Sequence, residues 1–178
     1  MTTGRGERPL EILLVEDNPA DARLTEETLK KSEHRTNITV AQDGEVALAI
    51  LRKEGEYADV RQPDLILLDL KMPKKDGPEV LAEINADPEL AKIPVMLLTG
   101  TEAEQSFLQT YNIPPSRYCQ KPIQLQRFHI AIGQLGLFSR QPISLDKPPE
   151  PQAASGQAQH EPVASGGGRK WWWPFGRS

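Results

Sequence analysis

The chain has 178 residues, 38% hydrophobic and 26% charged, a length and balance that suit one globular domain with a tail. A single cysteine, Cys119, excludes an internal disulfide framework, and no apolar run reaches the length of a membrane-spanning helix. Net charge is −4, with 16 Lys/Arg against 22 Asp/Glu in residues 1–138; such an acidic domain is poorly matched to phosphate backbones, so no DNA partner is expected. Without a recognisable leader, a cytoplasmic location is expected.

Residues 1–9 read as a disordered N-terminus. The first predicted strand, 11–15, contains Ile12-Leu13-Leu14-Val15 and runs straight into Glu16-Asp17. Asn18-Pro19 opens a predicted helix over 19–32, because proline suits a first turn whose N–H groups lack helical partners. A strand over 37–41 leads to Asp43-Gly44 and a helix over 44–54, where Val46, Ala47, Ile50 and Leu51 recur with helical spacing. The charged loop Gly55–Pro63, with Tyr57 and Val60, reads as a surface excursion holding at most a little helix.

The third strand, 64–69, carries the strongest signal. Leu65-Ile66-Leu67-Leu68 is apolar on both faces, as in a buried parallel strand, and ends on Asp69 before the loop Lys71-Met72-Pro73-Lys74-Lys75-Asp76-Gly77. Ligands of open α/β sheets sit just outside the carboxyl ends of such strands, so Asp69 stands where chemistry is usually done. A helix over 77–87, a strand over 94–99 ending at Thr99, a helix over 102–112 and a strand over 117–120 before Lys121 follow. A last helix over 124–137 turns Phe128, Ile132 and Leu135 to the core and leaves Ile130, Leu137 and Phe138, either as a broad core stripe or as a dimer seam. Five βα units predict a three-layer α/β sandwich, doubly wound around a five-stranded parallel sheet.

The domain is bounded at 10–138. Residues 139–168 form a Pro/Gly-rich linker expected to be disordered, and residues 169–178 form a basic motif that holds every tryptophan of the chain, Trp171-Trp172-Trp173. That motif fits a partner-docking segment or an anchor at a membrane surface, with partner docking favoured.

Glu16, Asp17, Asp69, Thr99 and Lys121 each stand at or just past a strand end, so the topology would gather them on one sheet edge. Acidic oxygens without a Cys/His cluster favour Mg²⁺ or Mn²⁺ over zinc. A carboxylate can attack phosphorus to form an acyl phosphate, and a hydroxyl and an ammonium suit the charge on the transferred oxygens. Simpler roles compete: Glu16-Asp17 as helix caps, and Thr99 and Tyr118 as ordinary strand residues. A phosphohydrolase of the haloacid-dehalogenase type would want a second acid two residues after the nucleophile, where Lys71 stands, so a turnover enzyme is not expected.

These motifs resemble the receiver domain of two-component response regulators, the CheY-like, flavodoxin-like (βα)5 fold, over residues 10–137. The resemblance implies Asp69 as phosphoacceptor, with Thr99 and Lys121 as its partners in the reaction. It implies Mg²⁺ held by Glu16, Asp17, Asp69 and the Lys71 backbone carbonyl, a Thr99/Tyr118 switch, and a histidine kinase as donor. Leu14-Val15-Glu16-Asp17-Asn18-Pro19-Ala20-Asp21, Gly55-Glu56-Tyr57 and Lys74-Lys75-Asp76-Gly77-Pro78-Glu79-Val80-Leu81 look more narrowly like regulators of bacterial phytochrome kinases. That group tends to dimerise through the fourth helix, fifth strand and fifth helix. The tail and Pro114-Pro115 depart from its pattern. A rival reading is a phosphorylation-independent docking module that recruits through its surface and tail.

Overall fold

The computed structural model describes residues 8–138 and 140–145. Strands β1 (Leu10–Val15), β2 (Thr36–Ala41), β3 (Leu65–Asp69), β4 (Val95–Thr99) and β5 (Tyr118–Gln120) form one parallel sheet in the order β2-β1-β3-β4-β5. The doubly wound sandwich expected from the βα alternation is therefore present. All five residues of β3 and of β4 are buried, which is why these strands read as unbroken apolar runs. The sheet winds one way from β1 to β2 and the other way from β1 to β3. The direction of winding reverses there, and a crevice is expected beyond the carboxyl ends of β1 and β3.

Helices α1 (Pro19–Leu29), α2 (Gly44–Leu51), α3 (Gly77–Ala86), α4 (Glu102–Thr110), α5 (Leu125–Gly133) and the short α6 (Leu135–Phe138) cover both faces. Their starts are chemically marked. Asn18 Oδ1 accepts the Ala20 amide at 2.9 Å, Asp43 accepts that of Val46 at 2.9 Å, and Asp76 and Glu79 form a reciprocal capping box. Alternate strand residues feed two half-cores. Ile12, Leu14, Leu65, Leu67, Met96 and Leu98 face α1 and α5 through Ala22, Leu29, Phe128 and Ala131. Leu13, Val15, Ile66, Leu68, Val95 and Leu97 face α2, α3 and α4 through Leu48, Val80, Leu81, Ile84 and Leu108.

Two expectations change. The helix predicted over 124–137 breaks at Gln134, which leaves helical geometry (φ −112°, ψ 10°) between two poor helix formers, Gly133 and Gly136. Phe128 and Ala131 supply the buried side of α5, Ile132 and Leu135 are only partly buried, and Ile130 is exposed. The second change concerns the boundary at 138. Ile143 and Leu145 are buried in the half-core under α2, α3 and α4, so the packed chain extends past the point where the linker was expected to begin. The buried Arg117 guanidinium donates to the Gln141 carbonyl at 2.6 Å and to the Val95 carbonyl, while Asn85 Nδ2 donates to the Ile143 carbonyl at 2.5 Å. The rest of the linker and the Trp171–Trp173 motif lie outside the described residues.

Candidate functional site

Register places the acids. Val15 pairs with Leu68, so Glu16 and Asp69 are the next residues of adjacent strands and arrive together at the crevice. Thr99 pairs with Gln120 on the far side of β3, and the Lys121 amide donates to the Thr99 carbonyl at 2.7 Å, which fixes where the lysine leaves β5. Carboxylate oxygens of Glu16, Asp17 and Asp69 all lie within 4.8 Å of one another, with Glu16 and Asp69 buried and Asp17 more open.

Lys121 Nζ donates to Asp69 Oδ2 at 2.9 Å, to Glu16 Oε2 at 3.0 Å and to Asp21 Oδ2 at 3.0 Å. Asp69 Oδ1 accepts the Lys71 amide at 3.2 Å. Both oxygens of the buried acid are therefore oriented, one by backbone and one by an ammonium. Burial, followed by the charge of Asp69, lifts the Glu16 carboxyl to about 7. Burial also lifts Asp69 above the usual carboxylate range, against the pull of Lys121. For Lys121, burial favours the neutral amine, yet the bonds to Asp69, Glu16 and Asp21 outweigh it and hold the ammonium charged.

Glu16, Asp17, Asp69 and Lys121 are thus brought together as the strand-end argument required. Thr99 is fully buried, and its hydroxyl is turned to β5, donating to the Cys119 carbonyl at 3.4 Å. Tyr118 is buried under α4, where its hydroxyl accepts from Gln109 Nε2 at 3.4 Å. Lys71 meets Asp69 through its amide; Lys74 pairs with Asp43, and Lys75 with Glu83, so neither extends freely from the loop.

Two residues escaped the sequence reading. Asp21 passes for an ordinary acid in a helix first turn, and only folding shows that it touches Lys121. Glu104 is a buried carboxylate whose Oε2 accepts the Gly100 amide at 2.6 Å, tying α4 to the end of β4. A visible signal existed for Glu104, the Thr101-x-x-Glu104 spacing of a capping box, and Thr101 does accept the Glu104 amide at 3.2 Å.

The three-acid cluster fits a hard divalent cation. Its donors are all oxygen, its three acids outnumber the Lys121 ammonium beside them, and Asp17 keeps one side open. Glu16, Asp17 and Asp69 are the residues that would hold it.

A family model for the response regulator receiver domain matches residues 12–133, well over half of the chain. The chain belongs to the response regulator receiver family. Response regulator Rcp1 of Synechocystis sp. is 45% identical over 118 residues, spanning 66% of this chain and 80% of that one, and a solved Mn²⁺-bound form of a response regulator Rcp1 superposes with a TM-score of 0.57 at 40% identity, covering 73% and 95%. Among solved receivers, the bacteriophytochrome response regulator AtBRR superposes with a TM-score of 0.66 at 39% identity, covering 74% of this chain and 96% of that one. The phosphorylated cyanobacterial phytochrome response regulator RcpA gives 0.59 at 45% identity, covering 74% and 94%. The likeness to phytochrome-associated regulators read from the motifs agrees with these relatives.

Proposed function

We propose that Asp69 is the phosphoacceptor of this receiver and that a histidine kinase, of the phytochrome-associated type, is its donor. The observation that supports this best is the setting of Asp69. It is a buried carboxylate held by the Lys71 amide on one oxygen and the Lys121 ammonium on the other, beside two further acids at the switch point of the sheet.

One carboxylate oxygen attacks the phosphorus of a phosphohistidine whose other ring nitrogen carries a proton; the P–N bond breaks as the O–P bond forms, and neutral imidazole leaves behind an aspartyl phosphate. Lys121 stays charged and close enough to meet a transferred oxygen, and burial in this crevice excludes bulk water. Mg²⁺, held by Glu16, Asp17, Asp69 and the Lys71 carbonyl, would supply charge neutralisation for the phosphoryl oxygens. The new dianion then draws the Thr99 hydroxyl away from the Cys119 carbonyl, and Tyr118, already packed beside α4, follows it. This population shift remodels the face formed by α4, β5 and α5. That face is the proposed homodimer or partner surface, and output is a protein contact in the cytoplasm, with no turnover of a separate substrate and no DNA contact.

The Trp171–Trp173 motif is proposed to dock on a partner. No helix among the described residues is long and apolar enough to cross a membrane, and partitioning of residues 1–178 against 1–145 onto anionic vesicles tests surface anchoring. The comparisons lend no support to a phosphorylation-independent docking module.

The deciding experiment is intact-protein mass after acetyl phosphate, with and without Mg²⁺, on the wild type and Asp69→Asn. One phosphoryl group gained only with Mg²⁺, and lost in the variant, is expected. Equal incorporation by Asp69→Asn would overturn the acceptor assignment.

A further inference from the structure

An ammonium has three N–H donors, and all three of Lys121 are engaged: Asp69 at 2.9 Å, Glu16 at 3.0 Å and Asp21 at 3.0 Å. Two of these partners belong to the three-acid cluster. A dication placed there draws on the same two carboxylates, Glu16 and Asp69, and repels the ammonium. Lys121 must therefore loosen its hold on them without leaving the site. Among the described residues, Asp21 is the one partner of Lys121 outside the cluster. Its side chain is 40% exposed, so it can keep the ammonium at the mouth of the crevice at small desolvation cost.

The ordinary reading of Asp21 is a favourable charge near the positive end of α1. That reading leaves its contact unexplained. The first-turn amides of Ala20 and Asp21 are already taken by the Asn18 side chain, and Lys121 is the hydrogen-bond partner of the Asp21 carboxylate among the described residues. The two residues are 100 positions apart, so the pair is a product of packing between α1 and the end of β5, not of helix chemistry.

We propose that Asp21 is a positioning residue that receives the Lys121 ammonium when a divalent cation occupies Glu16, Asp17 and Asp69. It makes cation binding and lysine retention compatible. This inference rests on the cation-site reading of those three acids. It places in α1 a residue that acts on the acceptor only through Lys121. Asp21→Asn keeps an acceptor oxygen but loses the charge, so the ammonium would lean on Glu16 and Asp69, in direct competition with the cation.

The test is a double-mutant cycle on the full chain, with Mg²⁺ as the probe and its dissociation constant measured by calorimetry at roughly 0.15 M salt, where distant charges are screened. Asp21→Asn is expected to weaken Mg²⁺ about tenfold when Lys121 is present and no more than about twofold in Lys121→Ala, a coupling within the range seen for contacting residues. Asp21→Glu, which still reaches the ammonium, is expected to stay within about threefold of wild type. A charge acting only through its field would give equal losses in both backgrounds, and that result, or no loss in Asp21→Asn, overturns the proposal. Absence of any Mg²⁺ binding by the wild type would instead overturn the cation-site reading beneath it.

Discussion

Lys121 Nζ lies 3.0 Å from Glu16 Oε2, joining residues 105 positions apart, and Glu16 is only 1% exposed. Burial outweighs that bond, so the Glu16 carboxyl rises from 4.5 to about 7. The sign follows from linkage. A raised acid binds its proton more tightly in the folded state, so its stabilisation is complete below about 4.5 and is lost as pH climbs through about 7. Metal-free protein is expected to lose on the order of 3 kcal/mol across that window, and Glu16→Gln to flatten the slope. Urea midpoints at several pH values in chelator read this directly; parallel slopes for the two proteins would refute it.

Gly77, the first residue of α3, packs on the end of β3 itself. A Cβ there would meet the Asp69 carbonyl at 2.6 Å and Leu70 Cα at 2.7 Å, both backbone atoms that cannot swing aside. Gly77→Ala is expected to cost about 1–3 kcal/mol, as overpacking does, and to slow phosphoryl incorporation by displacing Asp69. Unchanged stability and unchanged incorporation would show that α3 shifts freely.

Ile143 is 4% exposed and held by Asn85, although it lies beyond the fifth βα unit. Ile143→Ala is expected to lower unfolding free energy by about 2–4 kcal/mol, and removal of residues 139–178 by at least as much. Chemical denaturation of both variants checks this, since a passive linker would give no change in either.

Glu104 accepts the Gly100 amide at 2.6 Å from a buried position at the start of α4. Glu104→Ala leaves that amide without its acceptor and is expected to destabilise by about 1–3 kcal/mol. Hydrogen exchange at Gly100 should quicken at least about tenfold, more than elsewhere in α4. Exchange that rises uniformly would mean that Glu104 acts through global stability alone.

Much of this was legible along the chain because period and punctuation are local. Leu65–Asp69 announces a buried strand that ends on an acid, and Asn18, Asp43 and Asp76 announce helix starts by the chemistry of their side chains. Helix ends were less legible. The predicted helices over 19–32 and 44–54 stop at Leu29 and Leu51, since apolar spacing says which face is buried but not where packing ceases to hold the turn. The packed segment through Ile143 escaped notice because two apolar residues flanking Ser144, Ile143 and Leu145, are too few to carry a period.

Sequence alone determined the fold class and the residue types delivered to one sheet edge, since alternation of apolar strands with amphipathic helices admits few topologies and strand ends converge. Only tertiary structure decided that three carboxylates share one ammonium, that Asp21 is among them, that Glu104 holds Gly100 and that Ile143 and Leu145, past α6, belong to the core. Each of those facts joins residues through the geometry of packed elements, to which the order of residues along a single helix or strand is blind.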